Sequence, residues 1–175
     1  MKEQQIAITY QVYKNAAQLP EQDRVLLALA RKTATSAYAP YSEFCVGAAA
    51  RVFDKKNGGE PQLITGTNQE NASYPVGICA ERVLLSAISS AIPGGEVDCI
   101  AISYKNKRHD KKTGKPVKSD ATAMPCGMCR QSLHEQEQRQ RKPFRLILSG
   151  QTGEVIVINA ADLLPLSFRE DFLGQ

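Results

Sequence analysis

At 175 residues, with 42% hydrophobic and 23% charged side chains, the chain has material for one domain with a real core, which excludes a fibre or a disordered tail. The net charge of +4 is mild, the start Met1-Lys2-Glu3-Gln4-Gln5 does not read as a secretory leader, and no run approaches the ~18 apolar residues of a membrane helix, so a soluble, cytoplasmic protein is expected. Five cysteines are too few for a disulfide scaffold at this length.

Along the chain, Ile6, Ile8, Tyr10 and Val12 alternate with polar or small residues and predict an N-terminal strand at a sheet edge. Residues 1–18 therefore read as an extension and 19–175 as the domain proper. Pro20-Glu21-Gln22-Asp23 opens a helix to about Ser36, with Leu19 ahead of it and Val25, Leu26, Leu29 and Ala30 as its apolar stripe. Tyr38-Ala39-Pro40-Tyr41 ends that helix. Residues 44–53 form a strand, 54–59 a hairpin loop with strong turn chemistry, and 63–67 the returning strand. From Asn68 the chain leaves in extended form, which puts Asn68 and Glu70 on one side, an amide and a carboxylate able to hold sugar hydroxyls.

A helix follows over roughly 78–91, closed by Pro93-Gly94-Gly95, and then a buried strand over 97–104. The next twenty residues, 105–124, make a long loop. Within it Lys105, Lys107, Arg108, Lys111, Lys112, Lys115 and Lys118 face only Asp110 as an opposing charge. No aromatic residue after Tyr104 is interleaved to stack a base, and Gly114-Lys115-Pro116 reads as a solvated turn, so a nucleic-acid surface is not expected. A second helix runs to about Gln140, strands cover 144–148 and 155–158, and a short helix starts at Asn159. Alternating strands and helices after residue 60 point to a layered α/β sheet.

Two blocks carry the chemistry. Ile78-Cys79-Ala80-Glu81-Arg82 precedes the apolar-periodic Val83, Leu84, Ala87 and Ile88, and Pro125-Cys126-Gly127-Met128-Cys129 begins the second helix. Cys126 and Cys129, three apart, share one face of a first helical turn, and Cys79 sits at a helix start as well. Unpaired N–H groups and the positive end of each helix dipole favour thiolate over thiol, the form a zinc ion requires. Structural zinc sites use four protein ligands, whereas catalytic ones use three and keep a position for water. No fourth candidate lies nearby: His134 is two turns into its helix, His109 is in the charged loop, and Cys45 and Cys99 read as small buried hydrophobes in strands. Glu81 is placed as a general acid and base, and a thiolate followed two residues later by a nonligating Glu, then P-C-x-x-C, is the pattern of zinc deaminases. Zinc with three thiolates carries a net charge of −1, so Arg82, directly after Glu81, reads as the residue that withdraws charge from the sulfurs.

Together with Tyr38-Ala39-Pro40-Tyr41-Ser42-Glu43-Phe44, Asn68-Gln69-Glu70-Asn71-Ala72-Ser73-Tyr74 and Arg130-Gln131 after the second cysteine pair, these blocks resemble a cytidine deaminase of the three-cysteine, homotetrameric kind, over roughly residues 20 to 172. The resemblance implies a three-layer fold, a mixed five-stranded sheet with helices on both faces, here with the extra N-terminal edge strand. It implies one zinc per chain on Cys79, Cys126 and Cys129, with Glu81 passing a proton from water to the ring N3 of cytosine and then to the departing ammonia. The reaction would convert cytidine and deoxycytidine to uridine and deoxyuridine, in pyrimidine salvage. Asn68 and Glu70 would hold the ribose, Phe44 and Tyr74 would shape the nucleoside pocket, and Phe168 would reach a neighbouring subunit's site in a homotetramer with shared active sites. Neither nucleic acid nor membrane is an expected partner. The competing readings are deamination of a nucleotide, a polynucleotide or another nucleoside-like substrate, and a binding module with structural zinc. Cys79 argues against the polynucleotide reading, where His is the usual first ligand, and Glu81 is left unexplained by the binding module.

Overall fold

A computed structural model describes residues 1–56, 58–110, 112–117 and 121–169. Its regular elements are β1 (Gln11–Tyr13), α1 (Glu21–Thr33), β2 (Phe44–Phe53), β3 (Gln62–Thr67), α2 (Ala80–Ala91), β4 (Glu96–Asn106), α3 (Gly127–Gln140), β5 (Arg145–Ser149) and β6 (Val155–Asn159). The strands form one mixed sheet in the order β1-β6-β5-β4-β2-β3. Only β4 and β5 run parallel, and α3 is the crossover that parallel pairing demands. The expected edge strand is therefore present, added to five others.

Both faces of the sheet are covered, which explains why its central strands are apolar nearly throughout. Along β4, Ile100 and Ile102 point to the layer that contains Leu84 and Ile88 of α2 and Leu133 of α3. Cys99 and Ala101 point to the opposite layer, with Leu26, Leu27 and Ala30 of α1. Alternation within β4 thus serves two cores rather than one core and solvent.

The buried face of α1 differs from the predicted stripe. Val25 is 49% exposed, and the inward set is Asp23, Leu26, Leu27 and Ala30. These positions follow the helical i, i+3, i+4, i+7 rule, and the charge on Asp23 disguised it. Asp23 is buried because Arg145 Nη1 and Nη2 donate to its two oxygens at 2.7 and 3.1 Å. Arg51 Nη2 adds a third donor at 3.5 Å, while Arg51 Nε donates to Asp98 Oδ2 at 2.7 Å. The buried carboxylate is thus fully compensated.

β1 is also shorter than the sequence alternation implies. Gln11 to Tyr13 pair with Val157 to Val155, whereas Ile6, Ile8 and Tyr10 lie outside the ladder, each about half exposed. β6 ends at Asn159, where a 3₁₀ turn over Ala160–Leu163 takes over, so no partner strand continues opposite Ile6 and Ile8, and the ladder stops one residue before Tyr10 would meet Ile158.

Two glycines fix helix positions by close approach. A Cβ on Gly66 of β3 would lie 2.5 Å from the backbone N of Leu84 and 2.8 Å from the carbonyl of Ala80 in α2. One on Gly47 of β2 would lie 2.3 Å from the carbonyl of Ala30 in α1. Strand and helix backbones therefore meet where any side chain would hold them apart.

Candidate metal centre and substrate pocket

Cys79 and Cys126 are the N-cap residues of α2 and α3, both with extended backbones, φ −74° and −68°. Cys129 lies in the first turn of α3 and is fully buried. The entry to α2 is pinned by reciprocal backbone bonds between Gln69 and Ile78, each 2.9 Å, and Gly66 lets the helix settle directly on β3. Both helices start on the same face of the sheet, and their first turns bring the three sulfurs together.

Cys79 Sγ lies 3.8 Å from Cys126 Sγ, and Cys126 Sγ 3.4 Å from Cys129 Sγ, with all three within 4.8 Å of one another. A tetrahedral ion ~2.3 Å from each sulfur sets its ligands about 3.8 Å apart, so the spacing fits zinc. Among the described residues this is the only cluster of three or more potential ligands, and it contains no fourth. Of the three thiols, Cys79 favours losing its proton. Cys79 is held down at about 6, chiefly by hydrogen bonding with Cys129 and in part by the charge of Arg82, while that same contact and burial push Cys129 up. Glu81, only 5% exposed in the first turn of α2, has its carboxyl raised above the usual range by burial. Arg82 borders a groove of about 620 Å³ between α2 and α3.

In front of the cluster lies a cavity of about 580 Å³ lined by Phe44, Asn68, Glu70, Cys79, Glu81 and Tyr104 among others. Phe44 stacks on Tyr104, ring centroids 4.6 Å apart and planes at 27°. The Tyr104 hydroxyl donates to the Ala121 carbonyl at 2.8 Å, which ties the long loop to the cavity wall. Asn68 has a structural task as well: its Oδ1 accepts from the N–H of Val46 at 2.7 Å and its Nδ2 donates to the Phe44 carbonyl at 3.0 Å. Glu70 accepts from the N–H groups of Tyr41 and Ser42, at 2.8 and 3.2 Å, and from the Ser42 hydroxyl. Desolvation opposes ionisation of Glu70, but these three donors together prevail and keep its carboxyl below its ordinary value.

Tyr74 stands outside this cavity. It is 75% exposed, makes an edge contact with Tyr41 at 5.9 Å, and lines a neighbouring pocket of about 390 Å³ with Ser42, Glu70 and Arg108. Phe168 is 58% exposed, its carbonyl accepting from Gln131 Nε2 at 3.0 Å, and it does not line its own chain's cavity. Sequence reasoning missed Ser42, Tyr104 and Arg108. Tyr104 was within reach: once β2 and β4 are paired with Val46 opposite Tyr104, Phe44 is its diagonal neighbour. Arg108 was not, because its run of charges reads as solvent-facing.

Residues 20–142 match the family model described as the cytidine and deoxycytidylate deaminase zinc-binding region, and the chain belongs to that family. A cytidine deaminase of Halalkalibacterium halodurans is 34% identical over 152 residues, 87% of this chain and 98% of the relative. One from Mycobacterium tuberculosis is 36% identical over 118 residues, 67% of this chain and 74% of the relative. The crystal structure of cytidine deaminase from Burkholderia pseudomallei superposes with a TM-score of 0.65 at 31% identity, covering 86% of this chain and all of that one. The three-sulfur cluster fits the zinc that the family description names.

Proposed function

We propose that the protein catalyses the hydrolytic deamination of cytidine and deoxycytidine, giving uridine or deoxyuridine and ammonia, with one zinc per chain held by Cys79, Cys126 and Cys129. The observation that carries this reading is a buried carboxylate, Glu81, two residues after Cys79 of a three-sulfur cluster with no fourth protein ligand among the described residues, at the wall of a nucleoside-sized cavity. Bound zinc supplies Lewis acidity that makes water a nucleophile at neutral pH. Glu81 would take one proton from the attacking water and pass it to ring N3 as C4 is attacked, then take the second from the new C4 hydroxyl and pass it to the departing amine, which restores the carboxylate. Its burial, by raising its proton affinity, suits it to hold a proton between those steps. Phe44, backed by Tyr104, offers a flat apolar wall for the pyrimidine. Asn68 and Glu70 border the cavity, and Glu70 keeps about one unused lone pair, on Oε1, for a sugar hydroxyl beyond the three donors it already accepts. Tyr74 would close over the sugar from the rim.

Phe168, an exposed aromatic residue outside its own chain's cavity, supports a homotetramer with shared active sites. Residues 1–18 are proposed as an extension to the deaminase domain, since the family match begins at residue 20. Pyrimidine salvage in the cytoplasm is the setting this activity fits. The test is the zinc-loaded chain with cytidine, followed by loss of ultraviolet absorbance and release of ammonia. Stoichiometric zinc without turnover of cytidine or deoxycytidine would refute the assignment.

A further inference from the structure

We propose that Gln131 and His134 are positioning residues for a neighbour's site: by clasping Ser167 and Phe168 to α3 they fix where Phe168 stands, so that the helix carrying two of one chain's metal ligands also shapes the nucleoside pocket of the next subunit. This rests on the deaminase reading and on Phe168 serving a neighbour in a homotetramer.

α3 is a polar helix for a layered core. Past its first turn Leu133 is the single apolar side chain as far as Gln140, and its buried set includes His134 and Gln136. Hydrogen bonds hold much of what lies against it. Arg130 Nη1 donates to the Leu163 carbonyl at 3.4 Å, and Gln131 Nε2 donates to the Phe168 carbonyl at 3.0 Å. His134 Nε2 is hydrogen-bonded to the Ser167 hydroxyl at 2.9 Å, and Glu137 accepts from the N–H groups of Phe144 and Ala161. Arg130, His134 and Glu137 stand at i, i+4 and i+7 on one face, with Gln131 beside them. Together they grip the chain at Ala161, Leu163, Ser167 and Phe168.

The grip has two parts. Ala161 and Leu163 belong to a 3₁₀ turn, whose end groups need partners in any fold. From Leu164 onward the described chain has no regular structure, and there Ser167 turns inward, half-buried between Leu166 at 86% and Phe168 at 58% exposure. A segment tied down by its polar member while two apolar ones face outward adds little to its own chain's core. His134 is itself buried, and its Nδ1 has no hydrogen-bond partner among the described residues. Burying a polar ring for a single hydrogen bond stabilises a core poorly, which favours holding the segment as the reason for it. Gln131 follows the ligand Cys129 by two residues on the same helix, so Phe168 is tied to the metal-bearing turn with no flexible link between.

The experiment uses Gln131→Glu, which keeps the side chain's shape but turns an acceptor toward the Phe168 carbonyl, and Ser167→Ala, which opens the other hold without touching the core. In the zinc-loaded full chain each is expected to raise KM for cytidine about fivefold to tenfold with kcat within about twofold, and Ser167→Thr, which keeps a hydroxyl, should restore most of the loss. In a Phe168→Ala background the same two changes should have no further effect, whereas a purely structural clasp would lose as much in either background. Action on the neighbour is read by assembling Gln131→Glu chains with an excess of Glu81→Gln chains. The active sites then belong to the clasp variant while the Phe168 beside them comes from intact chains, and KM should return close to that of the unsubstituted protein. Unchanged KM in both clasp variants, losses that add to that of Phe168→Ala, or no recovery in the mixed assemblies would each overturn the proposal. A monomer active on cytidine would overturn it and leave the deaminase reading standing. A fully zinc-loaded tetramer inert toward cytidine and deoxycytidine would instead remove the deaminase reading, and the proposal with it.

Discussion

Glu81 is as buried as a core leucine, yet among the described residues no cation pairs with it, and its side-chain hydrogen bond is with Cys129. A structural acid in such a place would need a cation, as Asp23 has in Arg145. The proposed proton-carrying role would account for the burial, and it makes the expected outcome of Glu81→Gln specific: zinc content and fold retained, kcat lower by ~10²–10⁴. Near-normal turnover at full zinc occupancy would move the role elsewhere. Arg82 poses a charge question. Its positive charge helps hold Cys79 down, and three thiolates leave zinc with a net −1. Arg82→Gln is therefore expected to lower turnover, and Cys79→His, which removes one ligand charge, should make the same change at Arg82 much less costly. The pair is measured as a double-mutant cycle, and simple addition of the two losses would dismiss the charge balance. At this scale the cysteine cluster was legible because metal geometry imposes short, fixed spacings. Asn68 and Glu70 were legible only in part, since the backbone they brace, at Phe44, Val46, Tyr41 and Ser42, comes from the other side of a hairpin.

Elements place these residues through close packing rather than through long-range charge. α2 lies on β3 at Gly66, and that contact sets the height of Cys79 and Glu81 above the sheet. Gly66→Ala is expected to push α2 outward, costing about 1–3 kcal/mol of stability and lowering activity in the surviving folded protein, because a positioning error of an ångström is felt at the reaction centre. Unfolding midpoints and kcat together check this, and an unchanged pair of values would mean that α2 is not held there. Strand and helix boundaries were legible because β2, β4, α2 and α3 are framed by Pro, Gly and cysteine caps. The inward face of α1 was not, since its partner Arg145 lies 122 residues away and nothing local marks Asp23 as buried.

The molecule as a whole is a sheet between two cores, with the metal site in one of them at the meeting point of two helices that sequence alone places only separately. The sheet's central parallel pair, β4 and β5, could be anticipated from the helix between them, whereas the strand order could not, because β1 closes the far edge on β6. Cys79 and Cys126 are 47 residues apart, and β4 and the long loop lie between them. An ion shared by both is therefore a staple as well as a reagent: it closes a loop and denies the unfolded chain the freedom that loop would have. By the chain-entropy rule for a cross-link of this span, the restraint is worth about 4 kcal/mol. For a chain of this size that corresponds to roughly 10 °C in melting temperature. Stripping the metal with a chelator should thus lower Tm by about this amount even in Glu81→Gln, where no chemistry remains to be lost. The reagent that performs the reaction would then also set how hot the protein can run.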